Sequence, residues 1–416
     1  MAKEVLILYG ERSFDFTVLS DYTSCMRNHS IGEDARRRSP SVSSRMKLNA
    51  IQSHNGINLL ATFHNAHKTS EMLKLQLVLA LARCMLASDP KDKVFGVLGI
   101  AGDIDLSHPD FAVRYDERES VAELFTRIAR GTIREDTYNA LDCLFEGGTQ
   151  LFERLPGLPS WVPDWTSRRA GKTLGGLTKP GYHAADSLDL VAEVEGSTLR
   201  VRGCIVDRIA HQTSAYVPDG DNEHTEYYYS IGIAKWVQEA CDLAVTEWPD
   251  ILGSEGGEQK ENLWRTLVCN KTHGHQPAPD SFAILFEAQL TRQRVFIPAI
   301  IEQNAVEHYI PVPSSECVEA EKTSLNYRTA MQDTMYTKRF GITKDMKLMC
   351  RPPADARVGD CIVLVVGSPV PFVMRQADEK GEKWILIQEC YVHGLMDGDY
   401  AQNADRTGGW QDVFII

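Results

Sequence analysis

The densest group of reactive side chains in the sequence lies near its C-terminus, in the segment LIQECYVHGLMDGD. If this segment forms a β-strand, Glu389, Tyr391 and His393 share one face, because successive side chains point to opposite faces of a strand. A carboxyl group, a phenol and an imidazole with mutually shifted pKa values are suited to proton transfer. We therefore predict these three as candidate catalytic residues. Asp397, just beyond Gly394, is a fourth candidate.

The same row of side chains also fits a second interpretation, a buried polar network that closes the C-terminal region. A catalytic role requires a pocket on which the polar groups converge. A structural role requires only that the groups bond to one another or to the backbone. The sequence leaves both interpretations open.

A second group of candidates is aromatic. The segment LPGLPSWVPDW, residues 155–165, holds three prolines and two tryptophans, which excludes a regular helix and disfavours a central strand. Trp161, Asp164 and Trp165 are candidate substrate-binding residues, because two indoles beside a carboxylate can line a ligand pocket or hold a cation. Alternatively, the indoles anchor a rigid connector to the core and Asp164 accepts hydrogen bonds from N–H groups.

Signatures of metals and cofactors are incomplete or absent. Cys269, His273 and His275 have the spacing C-x-x-x-H-x-H of half a zinc site, but no second half lies close in the sequence. The sequence has no G-x-G-x-x-G, phosphate-loop, H-E-x-x-H or G-x-S-x-G motif. We therefore predict no metal and no cofactor.

The charge and the hydropathy pattern restrict the partners. The 416 residues include 44 Lys and Arg and 57 Asp and Glu, a net charge of −13 at pH 7, which repels nucleic acid and anionic membranes. The longest apolar runs, residues 77–82 and 361–366, are far shorter than the ~20 residues of a membrane helix. The N-terminus lacks the long apolar core of a signal peptide. We predict a soluble, cytoplasmic chain that binds a protein partner or a small-molecule ligand.

The elements that would position these residues indicate an α+β fold. A helix over residues 69–87 is apolar nearly all round, as in a core, and a helix over 120–134 begins with a Ser120–Glu123 capping box. Alternating apolar residues predict a β-hairpin over 187–210. Further helices are expected at 225–247, 280–304 and 323–337, with a surface loop at 252–261.

The last part of the chain predicts a small C-terminal β-barrel or curled sheet, because it holds several short strands at close spacing. The expected strands are 341–350, 360–366, 372–375, 384–393 and 413–416. We predict helical N-terminal and middle layers closed by this β region. The expected divisions are a mainly helical part with the aromatic connector (1–165), the hairpin with further helices (166–340) and the β region (341–416).

Four segments of the sequence resemble the fungal heterokaryon-incompatibility (HET) family. They are ARCMLASDPKDKVFGVLGIAGD (82–103), LPSWVPDW (158–165), VGDCIVLVVGSPVPFVMR (358–375) and LIQECYVHGLMDGD (386–399). Their order and spacing are similar to those of the family, and the resemblance spans nearly the whole chain. Members usually begin with an effector domain that carries a Trp-x-x-Gln-Glu motif, which does not occur here. The resemblance therefore implies the C-terminal region of a HET protein without its effector domain or its cell-death activity.

Two functions follow from these observations. The first is a non-catalytic recognition or regulatory module of the HET family. The alternative is a stand-alone enzyme of fungal secondary metabolism, a lyase, isomerase or cyclase that uses acid/base chemistry without a cofactor. A pocket lined by the predicted catalytic row would favour the enzyme, whereas a row used up in internal bonds would favour the module.

Overall fold

The computed structural model describes most of the chain, and the fold is α+β, as predicted. Of residues 9, 226–231, 295–302 and 315–322 only the backbone is described. The described residues are 5–19, 21, 57, 60–66, 72–83, 85–148, 154–167, 173–175, 181–216, 226–302 and 315–416.

The described residues form two compact units. The first takes its residues from 1–136, 155–158 and 164–170, and the second from 137–154, 159–163 and 171–416. The expected division of the chain into domains at residues 165 and 340 stays a prediction. The strands on the two sides of residue 340 nevertheless pair in one sheet.

The first unit contains a short hairpin and helices. Residues 16–19 and 60–66 are also helical. Its named elements are β1 (Leu6–Tyr9), β2 (Arg12–Asp15), α1 (Leu75–Ala82), α2 (Asp92–Phe95), two 3-10 turns (Leu98–Ile100 and Pro109–Phe111) and α3 (Val121–Glu135).

Helix α1 is shorter than the predicted helix over 69–87, of which residues 69–71 lie outside the described residues. The backbone N–H of Leu75 donates to Asp103 Oδ1 at 2.8 Å, and this cap comes from 28 residues downstream. After the helix, Lys93 Nζ donates to the carbonyl oxygen of Arg83 at 3.0 Å. The N-terminal boundary therefore depends on a residue far away in the sequence, which local sequence patterns do not reveal.

Helix α3 confirms the predicted capping box. Glu123 N donates to Ser120 Oγ at 3.2 Å, and Ser120 N donates to Glu123 Oε2 at 2.8 Å. Two free N–H groups at the start of the helix are thus satisfied. On the next turns, Arg130 and Arg134 share the buried carboxylate of Asp110, at 2.7 and 3.1 Å.

The second unit combines helices with a large sheet. The predicted hairpin is confirmed, because β3 and β4 pair antiparallel. Its helices are α4 (Asn139–Glu146), α5 (Glu226–Glu247), α6 (Gly257–Leu267), α7 (Phe282–Glu302), α8 (Ser315–Met335) and α9 (Asp399–Thr407). Its strands are β3 (Ala192–Glu195), β4 (Thr198–Gln212), β5 (Gly341–Thr343), β6 (Met349–Arg351), β7 (Cys361–Val365), β8 (Phe372–Gln376), β9 (Lys383–Glu389), β10 (Tyr391–Val392) and β11 (Gln411–Ile415).

The long strand β4, with 15 residues, organises the sheet. It pairs antiparallel with β11 and with β7, and these are linked through β9 and β8, so five strands close into a ring. The pairing of β11 with β9 is parallel, and the other contacts of the ring are antiparallel. Strands β5, β6 and β10 continue the sheet from the far end of β4. The expected barrel or curled sheet is thus a ring of five strands, one of which, β4, belongs to the hairpin.

Several predicted boundaries in this unit were wrong. The expected strand over 341–350 is two strands, β5 and β6, joined by a turn in which Lys347 has a positive φ of 53°. The expected strand over 384–393 is interrupted at Cys390, between β9 and β10. Helix α6 occupies part of the predicted loop, because its apolar residues follow a polar first half, and α9 was not predicted.

Candidate functional site

Glu389 ends strand β9 with its side chain 1% exposed. Its carboxylate accepts hydrogen bonds from the backbone N–H groups of Leu174 and, at 2.8 Å, of Gly175. Burial raises the pKa of Glu389, and the charge of Lys338 and the two N–H donors oppose that rise. Both carboxylate oxygens are therefore used to hold a distant segment of the chain against the sheet.

Tyr391 and His393 form a separate pair. Tyr391 Oη and His393 Nδ1 lie 2.9 Å apart, and the phenol ring packs against Tyr182 with 5.9 Å between the ring centroids. Burial raises the pKa of Tyr391 well above its ordinary value and lowers the pKa of His393. Burial thus favours the neutral forms of both, in which the phenol donates and the imidazole nitrogen accepts.

The structure therefore brings together only two of the four predicted catalytic residues. Asp397 is exposed in the turn before α9, where its Oδ1 accepts a hydrogen bond from the N–H of Asp399 at 3.3 Å. Glu389 bonds to residues 174 and 175, whereas Tyr391 bonds to His393. The catalytic role of these residues stays a prediction.

The three aromatic-connector candidates are all buried and engaged in contacts within their own units. Trp161, in the second unit, donates from Nε1 to the carbonyl oxygen of Ser197 at 2.8 Å. In the first unit, Asp164 accepts from the N–H of Leu155 at 2.8 Å, and Trp165 packs edge-on against Phe125 at 4.9 Å. The structural interpretation predicts these contacts, and substrate binding by the three residues stays a prediction.

A cavity of about 40 Å³ lies within the second unit. Its polar wall contains three basic side chains from separate segments: Lys271 follows α6, Lys338 precedes β5, and Arg351 ends β6. Glu389, Tyr391 and His393 are not among the described residues that line it. Other lining residues include Tyr182, Cys269 and Asp333.

The three basic residues were missed by the sequence analysis. They come from positions 271, 338 and 351, and no short motif connects them. Lysine and arginine side chains are usually exposed to solvent, so the sequence alone predicts exposed positions for them. Only the fold shows that these three basic residues are buried. Burial lowers the pKa of each of these groups, and for Lys338 the nearby Glu389 opposes that effect.

The half zinc site is not assembled. Cys269 is buried, and its carbonyl oxygen accepts from Tyr182 Oη at 2.5 Å, while His273 Nδ1 lies 2.6 Å from Asp333 Oδ2. Within the described ranges, no group of three or more His, Cys, Asp or Glu side chains is placed to hold a metal ion. Of the described helices, none is both long and apolar enough to cross a membrane.

Comparison with known proteins agrees with the resemblance found in the sequence. The Het-6 β-barrel domain family matches residues 314–416. The "Heterokaryon incompatibility protein 6, OR allele" of Neurospora crassa is 23% identical over 421 aligned residues, which cover 94% of this chain and 59% of that protein. Both comparisons support a resemblance to the C-terminal region of HET-family proteins. It spans less than two thirds of the relative that it matches. No solved structure matches.

The ring of strands includes more than the residues that match the barrel-domain family. Residues 314–416 contain four of the five ring strands, β7, β8, β9 and β11. The fifth, β4, lies upstream of the matched residues, but it pairs with both β7 and β11. The ring is therefore completed only by the hairpin strand β4.

Proposed function

We propose that this HET-family chain acts as a non-catalytic recognition or regulatory module in the fungal cytoplasm, where it binds a protein partner. The observation that supports this proposal best is the use of the Glu389 carboxylate. Both of its oxygens accept backbone N–H groups, and the residue is almost fully buried. A general acid or base must reach the substrate atom whose proton it moves, and an oxygen already bonded inside the protein is poorly placed for that.

The cavity of the second unit described above is also too small for a drug-sized ligand. Its volume is about 40 Å³, whereas sites for drug-sized ligands measure about 300–1,000 Å³. The described residues that line it do not include the predicted acid/base row. The alternative enzyme would need a larger space next to Tyr391 and His393.

The name of the Neurospora crassa relative suggests the process in which the module works. That protein is named for heterokaryon incompatibility, and its alignment extends over 94% of this chain. We propose that this chain contributes to the same process. The alignment covers only 59% of that relative, so the relative also contains segments to which this chain does not align.

A heterokaryon assay tests the proposal. Forced heterokaryons would be formed between a fungal strain that expresses the chain and strains that carry the relative, and hyphal growth would be measured. The expected result is reduced growth with the wild-type chain and with Tyr391→Phe, because the variant removes only a hydroxyl that bonds to His393. Tyr336→Phe, at a partly exposed tyrosine, is the matched control.

Two results would contradict the proposal. Equal growth with the wild-type chain and with an empty vector would contradict the proposed role in incompatibility. Reduced growth with the wild type but normal growth with an equally abundant Tyr391→Phe chain would favour acid/base catalysis.

A further inference from the structure

The cavity of the second unit is lined by more positive than negative charge. Three of its described lining residues are Lys or Arg, and one is a carboxylate. Lys271, Lys338 and Arg351 are 8%, 5% and 0% exposed. We propose that this cavity binds a small oxyanion, a phosphate or carboxylate group, through these three basic side chains.

The hydrogen bonds of the lysines leave their charges without a paired carboxylate. Lys338 Nζ donates to Gln388 Oε1 at 3.1 Å and to the carbonyl oxygen of Glu389 at 3.2 Å. Lys271 Nζ reaches the carbonyl oxygen of Gly181 at 3.5 Å and lies 4.6 Å from the ring centroid of Tyr182. These partners are neutral, and neither ammonium forms an ion pair within the described part of the chain.

Arg351 also has a structural role, which uses part of the hydrogen-bonding capacity of its guanidinium group. Nη1 and Nη2 donate to the carbonyl oxygens of Leu267 at 2.5 Å and Thr334 at 3.0 Å, at the C-terminal ends of α6 and α8, where positive charge suits the helix dipole. Its Nε is buried with no hydrogen-bond partner among the described residues. Arg351 lines the cavity, and one N–H group of its buried guanidinium has no hydrogen-bond acceptor among the described residues.

The nearby carboxylates supply only part of the negative charge that three buried cations require. Asp333 lines the cavity, but its Oδ2 lies 2.6 Å from Nδ1 of His273. The Glu389 carboxylate is held by the N–H groups of residues 174 and 175, and its charge raises the pKa of Lys338 against the effect of burial. It acts on only one of the three basic residues of the cavity wall in this way. Buried cations that outnumber the nearby negative charges are costly. An anion in the cavity would reduce that cost for all three basic residues at once.

The cavity has room for such a group. Its volume of about 40 Å³ exceeds the roughly 10–15 Å³ that one water molecule requires on the same measure. A phosphate or carboxylate offers several acceptor oxygens, and ammonium and guanidinium groups are the donors that form the shortest and strongest hydrogen bonds to them. The volume favours a small free anion or a terminal group over a bulky ligand.

Binding to the purified full chain tests the proposal. Thermal unfolding would be followed during titration with inorganic phosphate, with acetate, and with sodium chloride at matched ionic strength. A ligand that binds only the folded state raises the Tm with its concentration. Phosphate or acetate is expected to raise the Tm more than chloride. Stabilisation by phosphate alone assigns a phosphate group, and stabilisation by acetate alone assigns a carboxylate.

Charge variants connect the binding to the cavity. Lys271→Gln should weaken the apparent affinity about tenfold or more, because it removes one charge-assisted hydrogen bond. Lys271→Arg keeps the charge and should retain most of the affinity. Lys380→Gln, at an exposed lysine, is the matched control and should bind like the wild type.

A labelling experiment covers the case in which Lys271→Gln does not fold. Acetylation of lysines in the wild-type chain would be mapped by mass spectrometry, and the anion should slow modification of Lys271 but not of Lys380. Equal stabilisation by chloride, wild-type affinity in a folded Lys271→Gln chain, or unchanged labelling of Lys271 would each overturn the proposal.

Discussion

At the scale of single residues, burial decides what the polar side chains of this chain can do. Glu389, Tyr391 and His393 are spaced as a catalytic row, but the strand is interrupted at Cys390 between β9 and β10. Glu389 bonds to residues 174 and 175, whereas Tyr391 and His393 bond to each other. The interruption at Cys390 therefore matters more than the spacing. A polar group removed from water needs a hydrogen bond, and these residues obtain theirs from the protein.

The depressed pKa of His393 predicts a pH-dependent stability. Burial lowers the pKa of this imidazole below its value in the unfolded chain. The unfolded state therefore binds a proton more readily than the folded state as the pH falls through the unfolded value of about 6.5. We expect the Tm to fall as the pH is lowered from about 7.5 towards the folded pKa, and to become insensitive to this group below that value.

His393→Gln isolates this contribution. The glutamine amide can still accept a hydrogen bond from Tyr391, but it does not titrate, so the slope of Tm against pH between about 7.5 and 5 should decrease. His183→Gln, at an exposed histidine, is the matched control and should keep the wild-type slope. Identical slopes in wild type and His393→Gln would show that this imidazole does not control the acid side of the stability curve.

At the scale of elements, β4 is the strand on which the sheet depends. Gly203 lies where β4 pairs with β11 and β7. A Cβ at this position would lie 2.8 Å from Val413 Cγ2 and 3.1 Å from the carbonyl oxygen of Leu364. Glycine is therefore needed for the close approach of the three strands, and not for an unusual backbone angle.

Gly203→Ala tests that packing. The added methyl group has to displace atoms on β11 and β7, and overpacking of this kind costs about 1–3 kcal/mol. We expect the free energy of unfolding, measured by urea denaturation, to fall by about that amount. Gly274→Ala is the control, because its nearest neighbour, Thr272 Oγ1, would be 3.9 Å away. An unchanged midpoint for Gly203→Ala would mean that the two strands have room to move apart.

Local patterns predicted those elements whose signals are contained in a few neighbouring residues. The Ser120–Glu123 box and the β3–β4 hairpin are of this kind, and both were confirmed. The predicted start of α1 was wrong, because Asp103, from another part of the chain, caps the helix at Leu75. The cavity could not be predicted for the same reason, since its basic wall is assembled only when α6 and β6 meet.

At the scale of the whole molecule, the ring of strands extends beyond the part recognised as a Het-6 β-barrel domain. The matched residues 314–416 supply β7, β8, β9 and β11, but the ring closes through β4, which belongs to the hairpin at 192–212. The segment at 174–175 also binds the sheet, through Glu389. The stability of the matched domain should therefore depend on residues more than 100 positions upstream.

Two fragments distinguish a self-sufficient barrel domain from a ring that needs β4. Residues 314–416 alone would leave β7 and β11 each without the partner that β4 provides, and unpaired strand edges promote aggregation. We expect this fragment to aggregate, or to unfold without a cooperative thermal transition. Residues 137–416 include all residues of the second unit, among them β4 and the segment bound by Glu389, so this longer fragment should be monodisperse by size-exclusion chromatography and should unfold cooperatively. A monomeric, cooperatively folded 314–416 fragment would contradict this account, because β7 and β11 would then have to be stabilised without β4.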